Sequence, residues 1–420
     1  MMNLKHNLIN GLLSLAMLIT ATTLQAGQLE LFTTGVTNPT AGFYTGTIGF
    51  GVSNNGIVAG TSNLGAANEA AFVFRTGGSG GVPTYNVLNV PGRVLSISAD
   101  GSKASGYAVT PGWSSGMVWT TAGQSVAQLD TLLGFTIGAT ISNNGQLAAG
   151  FGSSQMASWN SDGTGSTALG QVQGPGWVPA ANFGWAGGVS DTGLVGGTSG
   201  YSGGVGNGAR VAVIAQAGVA NSTAQLGNGV LDGTIANPYG KVLGINSNGN
   251  VLIGESYVGS GTDVVSRGFI VDRTISDNLA DMGTLAGFTQ IRAQDLTNPI
   301  AGVGKAVVVG HAWGGSVARP DYTNMSAVIW IPGSGAQLLQ TYAAANWGIS
   351  FSPGFRLATA WGISTDGKYI TGSAIDSSGE QIGYLISTNI APVPEPASII
   401  SLAVGGVMAI GLRRRMKNRA

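Results

Sequence analysis

A short phrase recurs seven times along the chain and constrains its fold more than any other feature. Each copy has an apolar stretch, a turn that usually ends in Asn-Gly or Asp-Gly, and a second apolar stretch with another glycine. Successive turn glycines lie 44 to 63 residues apart. Such self-similarity is typical of architectures that repeat one supersecondary unit. The turn glycines are Gly56, Gly101, Gly145, Gly193, Gly249, Gly304 and Gly367, and the copy around Gly304 is degenerate.

The chemistry of the phrase predicts a β-hairpin. Asn-Gly and Asp-Gly supply the positive φ that a tight hairpin turn requires, and the second glycine leaves room for a neighbouring backbone or a β-bulge. A third apolar stretch follows in every unit and a fourth in most of them. Four strands per unit, seven times over, predict an all-β fold, a seven-bladed β-propeller. The third stretches are 71–74, 117–119, 156–159, 211–214, 268–271, 327–330 and 383–386.

The two ends of the repeat region predict how the ring closes. The seventh unit has three strand candidates and lacks a fourth, whereas an unassigned strand candidate, residues 29–32, precedes the first unit. An unpaired outer edge invites aggregation. We therefore expect residues 29–32 to pair with residues 383–387 and complete the last blade.

One unit also resembles a known repeat family. Residues 281–287 contain Met282-Gly283-Thr284-Leu285 and are followed by a strand candidate at 293–297. This is similar to the HAF repeat, in which a leucine-glycine-threonine-leucine phrase leads into a strand and an Asn/Asp-Gly turn. The resemblance implies an extracellular, propeller-like protein and names no chemistry.

The N-terminus predicts export. Lys5 lies in a short polar segment, residues 8–19 are mostly apolar, and Ala26 is a small residue at a suitable cleavage position. This order is typical of a secretory signal peptide, with a helical apolar region. We interpret residues 1–26 as the signal peptide and residues 27–390 as the propeller.

The C-terminus, residues 391–420, has three parts in a fixed order. Val393-Pro394-Glu395-Pro396 is followed by an uncharged segment, 397–412, and then by the basic cluster Arg413, Arg414 and Arg415. The uncharged segment predicts a transmembrane helix whose flanking arginines stay at the cytoplasmic interface. The three parts closely resemble the PEP-CTERM sorting signal. That resemblance implies processing by an exosortase, a membrane-embedded enzyme, in bacteria that typically make exopolysaccharide.

Composition excludes several kinds of site. The chain has no cysteine, which excludes disulfides and thiolate chemistry. Residues 27–390 hold 12 Lys/Arg and 17 Asp/Glu, and an anionic body disfavours nucleic-acid binding. His311 is the one histidine after residue 26, and the Gly-x-Ser-x-Gly matches at 77–81, 112–116 and 200–204 lack a following helical pattern. We therefore expect no catalytic residues, no metal site and no cofactor.

The aromatic residues are more informative. Trp119, Trp159 and Trp330 share one repeated position, the end of the third strand, which predicts packing between blades. Other aromatic residues fall in long Gly-rich insertions, predicted to be loops at 171–186, 199–208, 227–240, 311–326 and 342–357. Second-to-third and inter-blade connections share one face of a propeller, so we expect these insertions to form a binding face. Its candidate residues are Trp177, Trp185, Tyr201, Trp313, Tyr322 and Trp347.

The sequence favours an exported, non-enzymatic surface or matrix protein whose partners are exosortase, the membrane through its C-terminal segment, and polysaccharide or a surface protein. Two alternatives stay open, a polysaccharide-active enzyme and an ice-binding or adhesion protein. Convergent Asp/Glu in the axial channel would favour the enzyme, and a flat aromatic face would favour binding.

Overall fold

The computed structural model describes residues 27–32, 46–62, 69–75, 84–88, 90, 92–110, 113–122, 125–130, 136–152, 155–172, 178–202, 210–234, 238–260, 263–300 and 304–388. Within them the chain forms seven four-stranded antiparallel sheets and one α-helix. Contacts between strands of successive sheets run around the whole set, and the seventh sheet contacts the first. The predicted seven-bladed β-propeller is confirmed.

The strands follow chain order in six of the blades, and only the seventh takes a strand from the other end of the chain. Blades 1 to 3 are β2 Ile48–Val52, β3 Ile57–Ser62, β4 Ala70–Arg75, β5 Thr84–Val87; β6 Gly92–Ile97, β7 Lys103–Thr110, β8 Trp113–Thr120, β9 Val126–Gln128; and β10 Thr136–Ile141, β11 Leu147–Gly152, β12 Gln155–Asn160, β13 Thr167–Gly170. Blades 4 and 5 are β14 Val178–Val189, β15 Leu194–Ser202, β16 Arg210–Gln216, β17 Ala224–Gln225; and β18 Gly240–Ile245, β19 Val251–Val258, β20 Val265–Asp272, β21 Ala280–Asp281. Blades 6 and 7 are β22 Gln290–Leu296, β23 Val308–Gly315, β24 Pro320–Ile331, β25 Gly335–Leu338; and β26 Arg356–Ile363, β27 Tyr369–Ile375, β28 Gln381–Ser387 with β1 Gln28–Phe32. Helix α1, Leu339–Trp347, lies between blades 6 and 7.

The predicted closure of the ring is confirmed. Strand β1 pairs antiparallel with β28, with Leu29 opposite Ile386 and Phe32 opposite Gly383. Phe32 is buried, stacks on Phe74 with ring centroids 4.6 Å apart, and meets Phe72 edge-on at 5.7 Å. The N-terminal strand therefore completes blade 7 and also packs against blade 1.

The turn glycines do what the repeat predicts. All seven have positive φ, between 66° and 84°, in the connection from the first to the second strand of their blade. In the six copies other than the degenerate one, the residue three positions before the glycine is a buried Ser or Asn. In blade 3, for example, the Oγ of Ser142 accepts the backbone N–H of Leu147 at 3.0 Å.

The second glycine of the phrase faces a β-bulge in every blade. In blade 5, Gly254 pairs with Val242, and the register then skips Leu243. A Cβ on Gly254 would overlap the carbonyl oxygen of Lys241, so only glycine fits opposite the bulge. The same overlap with a first-strand carbonyl arises at Gly60, Gly106, Gly150, Gly197, Gly310 and Gly372.

The repeated tryptophans pack between blades as predicted. Trp119 is fully buried among residues of blades 1 and 2. The indole N–H of Trp159 donates to the backbone oxygen of Asp130 at 3.2 Å, and that of Trp330 donates to the oxygen of Met282 at 3.3 Å. Both acceptors follow the fourth strand of the preceding blade, so each indole joins two neighbouring blades.

Antiparallel strand order gives the disc two ends. The first-to-second turns and the third-to-fourth connections lie at one end, here called the turn end. The second-to-third connections and the inter-blade links begin and end at the other, here called the insertion end. The predicted insertions at 171–186, 199–208, 227–240 and 311–326 belong to the insertion end by this strand order.

Four of the predicted loops contain regular structure instead, and in the shortest case the 199–208 segment begins within β15, which includes Tyr201. Trp185 lies within β14, and Trp313 lies within β23, because the 311–326 segment is an extended hairpin with β24. Glycine hides the period-2 pattern of these strands because it contributes no side chain to either face. The fourth segment contains α1, which is rich in alanine, a strong helix former, and stops at Gly348 with φ of 67°.

Helix α1 also corrects the shared-face prediction for one residue. The backbone oxygen of Trp347 accepts the N–H of Gly27 at 2.8 Å. Gly27 precedes Gln28, which pairs with Ser387 beside the Gly367 turn. The helix therefore leads from its inter-blade link back to the turn end, and Trp347 does not lie with the other predicted binding residues.

The predicted signal helix and transmembrane helix lie outside the described residues. Among the residues that are described, no helix is both long and apolar enough to cross a membrane.

Candidate functional site

The bulges line the axial channel with one residue from each blade. The residue skipped at each first-strand bulge belongs to the lining of a central cavity of about 230 Å³. The cavity has contributions from all seven first strands, so it follows the axis of the disc. The seven bulge residues are Phe50, Leu95, Ala139, Gly187, Leu243, Gln294 and Trp361.

Aromatic and amide groups give the channel its binding chemistry. Phe50 and Trp361 meet edge-on with ring centroids 5.1 Å apart, and Trp185 from β14 also lines the cavity. The Oε1 of Gln294 and the Nε1 of Trp361 are buried and have no hydrogen-bond partner among the described residues. The channel therefore offers ring faces together with one free acceptor and one free donor.

Asp295 is the carboxylate of the cavity lining, and it joins two blades. Its Oδ2 accepts the N–H of Ile363 in blade 7 at 2.9 Å, and its Oδ1 accepts the N–H of Leu296 at 2.8 Å. Burial raises the pKa of Asp295 to about 7, against the lowering effect of these two hydrogen bonds. Near neutral pH this carboxyl group is therefore present in both protonation states.

Polar groups cross the axis at the turn end. The amides of Asn143 in blade 3 and Asn298 in blade 6 both donate to the Oγ of Ser247 in blade 5, at 2.9 and 3.0 Å. A similar bond joins the turns of blades 7 and 1, where the Oγ1 of Thr365 donates to the Oδ1 of Asn54 at 3.0 Å. These bonds narrow the turn end, so we infer that a ligand enters the channel from the insertion end.

Charged and aromatic side chains of blades 4 to 6 converge at the insertion end. Lys241 lies opposite Glu255 in the β18–β19 register, and its Nζ is 5.5 Å from the ring centre of Trp185. Glu255 is buried and forms an ion pair of 2.6 Å with Arg292. Burial, followed by the positive charge of Arg292, lowers the pKa of Lys241 to about 8. We call Trp185, Arg210, Lys241, Glu255 and Arg292 the basic-aromatic cluster.

Two tyrosines pack beside this cluster. Tyr239 and Tyr257 stack with ring centroids 4.3 Å apart, and Arg210 lies over the Tyr239 ring at 5.9 Å. Burial and then the charge of Glu255 raise the pKa of Tyr257 to about 12 and that of Tyr239 further. Both phenols are therefore neutral at physiological pH.

His311 lies between the cluster and the channel. Its ring is 5.1 Å from that of Trp361 and 5.5 Å from that of Trp313, and its Nδ1 has no hydrogen-bond partner among the described residues. Burial and then Arg292 lower its pKa well below the ordinary value, so the imidazole is neutral. His311 thus acts as a polar member of an aromatic stack.

The predicted binding residues are distributed between the interior and the insertion end. Trp313 is only 5% exposed, with Tyr322 at 6.1 Å from it, and Tyr322 is 36% exposed. Trp347 is 4% exposed and packs in the core of blades 6 and 7. Trp177 and the side chain of Tyr201 lie outside the described part of the structure. Trp185 is the predicted residue that lines the channel, and binding by the whole set stays a prediction.

Groups that could support catalysis are scarce in the described residues. No group of three or more His, Asp or Glu there could hold a metal ion. Of the buried glutamates, Glu69 pairs with Arg93 and Glu255 with Arg292. The described part of the 112–116 motif lies within strand β8, whereas a nucleophile elbow requires a strand-to-helix turn.

Sequence reasoning missed Lys241, Gln294, Asp295 and the Glu255–Arg292 pair. They come from several strands, and none forms a short motif. The sequence does contain a signal, because the bulge residue lies 11 positions before the second glycine in blades 2, 3, 5 and 7 and ten positions before it in blades 1 and 4. In blade 6 the degenerate turn lengthens this spacing to 16. Each such residue lines the channel.

Residues 392–415 match the family model of the PEP-CTERM protein-sorting motif. The chain carries a PEP-CTERM sorting motif. The motif implies an exported, membrane-sorted protein that is processed by an exosortase. No curated protein has a sequence that matches this chain.

Three solved structures show a distant similarity to this chain. The β-propeller domain of the trilobed protease from Pyrococcus furiosus is 8% identical, with a TM-score of 0.44 over 78% of this chain and 91% of that one. An oligogalacturonate lyase from Vibrio parahaemolyticus is 12% identical, with a TM-score of 0.45 over 88% and 98%. TolB from Acinetobacter baumannii is 12% identical, with a TM-score of 0.37 over 81% of each chain. At these identities the likeness concerns the fold alone.

Proposed function

We propose that this protein is a cell-surface or matrix propeller, sorted by exosortase, that binds polysaccharide without cleaving it. The observation that carries the binding role is the axial channel, in which Phe50, Trp185 and Trp361 supply rings and Gln294 supplies a free acceptor. Aromatic rings with a polar partner suit sugars, whose surfaces combine apolar C–H faces with hydroxyl groups. The sorting motif and the HAF-like unit at 281–297 support an extracellular setting.

A glycan array tests the binding role. The full chain, purified in a non-ionic detergent, is applied to an array of bacterial polysaccharides beside the Trp361→Ala variant. We expect retention of at least one polysaccharide class and its loss in the variant. The matched control is Trp119→Phe, which alters a buried ring between blades 1 and 2 away from the channel. An array without any retained glycan would contradict the proposal.

The second candidate function is a polysaccharide-active enzyme, and one observation favours it. Asp295 lies in the channel with a pKa raised to about 7, which is suitable for a general acid or base. The retained polysaccharide is incubated with the full chain, and its size is followed by gel filtration. Unchanged size supports the binding protein. Shortening that disappears in Asp295→Asn would establish the enzyme instead.

Sorting is tested separately in the producing cell. Replacing Pro394-Glu395-Pro396 with three alanines is expected to leave the full-length chain unprocessed in the membrane fraction. The wild-type chain should appear in a shorter, processed form. Identical processing of both chains would contradict the exosortase assignment.

A further inference from the structure

The basic-aromatic cluster holds more positive than negative charge on a body that is anionic overall. Residues 27–390 contain 12 Lys/Arg and 17 Asp/Glu. Three of these cations, Arg210, Lys241 and Arg292, belong to the basic-aromatic cluster, which contains a single carboxylate, Glu255. Their charges act on one another closely enough to shift the pKa of Lys241 and Tyr257. With three cations and one carboxylate, the cluster itself is net positive, although residues 27–390 as a whole are net negative.

The one carboxylate of the cluster is already engaged by other groups. Its Oε2 forms the ion pair with Arg292 at 2.6 Å, and its Oε1 accepts the Oγ–H of Ser266 at 2.7 Å. Lys241 has no ion pair among the described residues. Its ammonium group lies over the ring of Trp185, and both residues are part of the cavity lining. Lys241 is thus a half-buried cation positioned to receive a carboxylate from outside the chain.

The rest of the cavity suits a ring that carries hydroxyl groups. Trp185 and Trp361 line the same cavity as Lys241, and Gln294 provides an acceptor without a partner. The volume of about 230 Å³ is below the roughly 300–1,000 Å³ of pockets for drug-sized ligands. The space therefore fits a group of the size of one sugar ring.

We propose that the insertion end of the channel binds a carboxylate-bearing sugar residue of the uronic acid class. Lys241 binds the carboxylate, Gln294 accepts a hydroxyl group, and Trp185 and Trp361 contact the ring. This inference rests on the proposed polysaccharide binding and specifies its ligand. A uronate at the end or branch of a polymer would enter from the insertion end, because polar groups cross the axis at the turn end.

Calorimetric titration of the full chain in detergent tests the ligand class. The probes are D-glucuronate, D-glucose as the neutral sugar of the same shape, and acetate as the carboxylate without a ring. We expect glucuronate to bind roughly 10- to 100-fold more tightly than glucose, as expected for a charge-assisted hydrogen bond. We also expect acetate to bind more weakly than glucuronate by at least tenfold.

Variants test the assigned residues. Lys241→Met should reduce glucuronate affinity to that of glucose, and Lys241→Arg should restore part of it because the charge returns. Lys305→Met removes an exposed lysine of the blade 6 turn and should leave affinity unchanged. Thermal unfolding of each variant verifies that it is folded, and Gln294→Leu provides a second variant that keeps every charge and should weaken both sugars.

The outcomes separate this inference from the proposed function. Equal affinity for glucuronate and glucose, or equal affinity for glucuronate and acetate, would overturn the uronate assignment. Glucuronate binding that survives Lys241→Met would overturn the site. If the array shows only neutral polysaccharides, the uronate inference fails while the proposed function stands. If the array shows no polysaccharide at all, the proposed function fails with it.

Discussion

Replacing Lys241 with methionine is expected to stabilise the protein at neutral pH, although it removes a residue of the proposed binding site. Burial is the main reason that the pKa of Lys241 is lowered from 10.5 to about 8. Protonation of Lys241 is therefore less favourable in the folded protein than in the unfolded chain, so the protonated lysine destabilises the fold. Methionine has a similar unbranched length without the charge, so it fills the same space at the cavity wall.

The size of the effect follows from that pKa difference. A change from 10.5 to about 8 corresponds to at most ~3.5 kcal/mol of folding free energy at neutral pH, since one pKa unit is about 1.4 kcal/mol. Because the side chain is only half-buried, solvent screening reduces this value. The variant also loses the cation–π contact with Trp185, which is worth about 0.5–1 kcal/mol. We expect a net gain of about 1 kcal/mol.

The stability gained by Lys241→Met should decrease as the pH rises. Between about pH 8 and 10.5 the unfolded wild-type chain holds the Lys241 proton and the folded chain does not, so wild-type stability rises with pH in this window. Below pH 8 both states hold the proton, and the penalty of the buried charge is complete. The advantage of Lys241→Met should therefore be largest at pH 7 and nearly absent above pH 10.5.

Urea unfolding of the full chain, followed by tryptophan fluorescence in a non-ionic detergent, measures this effect. Midpoints and slopes are compared for wild type, Lys241→Met and the exposed control Lys305→Met at pH 7 and pH 10. We expect a higher midpoint for Lys241→Met at pH 7, a smaller difference at pH 10, and no change in the control. A lower midpoint at pH 7, or a difference that does not change with pH, would refute the reasoning.

Three further predictions concern closure, the bulges and ligand binding. Phe32→Ala removes a buried ring from the closing strand and should destabilise the protein by about 3 kcal/mol in urea unfolding, whereas Leu31→Ala, at a side chain that is 49% exposed, should have a much smaller effect; equal effects would contradict the closure argument. Gly254→Ala should lower the unfolding midpoint strongly because its Cβ would overlap the oxygen of Lys241, whereas Gly233→Ala has nothing within 4 Å and should be nearly neutral. Glucuronate affinity, measured by calorimetry, should fall above pH 8 as Lys241 loses its proton, and a smaller decrease around pH 7, caused by ionisation of Asp295 in the same cavity, should be absent in Asp295→Asn. Glu255 and the two arginines also face this lysine, and arginine stays protonated throughout. Affinity that rises with pH would therefore exclude Lys241 as the anion ligand.

The sequence was sufficient for the scaffold because glycine is required there for steric reasons. A turn with positive φ needs glycine at Gly145, and a bulge needs it again at Gly150, so both leave a visible repeat. The helix was not predicted, because the segment 342–357 was assigned to a loop although its alanines favour a helix. The closing strand was predicted without any motif, because the seventh unit has only three strand candidates and one unassigned candidate precedes the first unit.

The site could not be predicted in the same way. A bulge inserts one residue into a strand and so shifts the alternation of inward and outward side chains. The period-2 pattern of the strand therefore does not predict that Gln294 and Trp361 face the channel. Lys241, Glu255 and Arg292 belong to three strands in two blades, and strand pairing together with the packing of neighbouring blades brings them together. Their pattern is a property of the ring and cannot be seen in any single unit.

At each bulge, one residue determines the stability of the blade and another determines which ligand the channel binds. Within this one chain the glycine opposite the bulge is present in all seven blades, while the bulge residue ranges from glycine at Gly187 to tryptophan at Trp361. The glycine accommodates a backbone oxygen, so it cannot change without strain. The bulge residues that carry a side chain line the channel and lack this constraint, whereas Gly187 shares it because a Cβ there would overlap the backbone oxygen of Val242. Exchanging Leu243 for a polar residue should therefore alter what the channel binds and leave the unfolding midpoint nearly unchanged, whereas no substitution of the facing Gly254 can do the same.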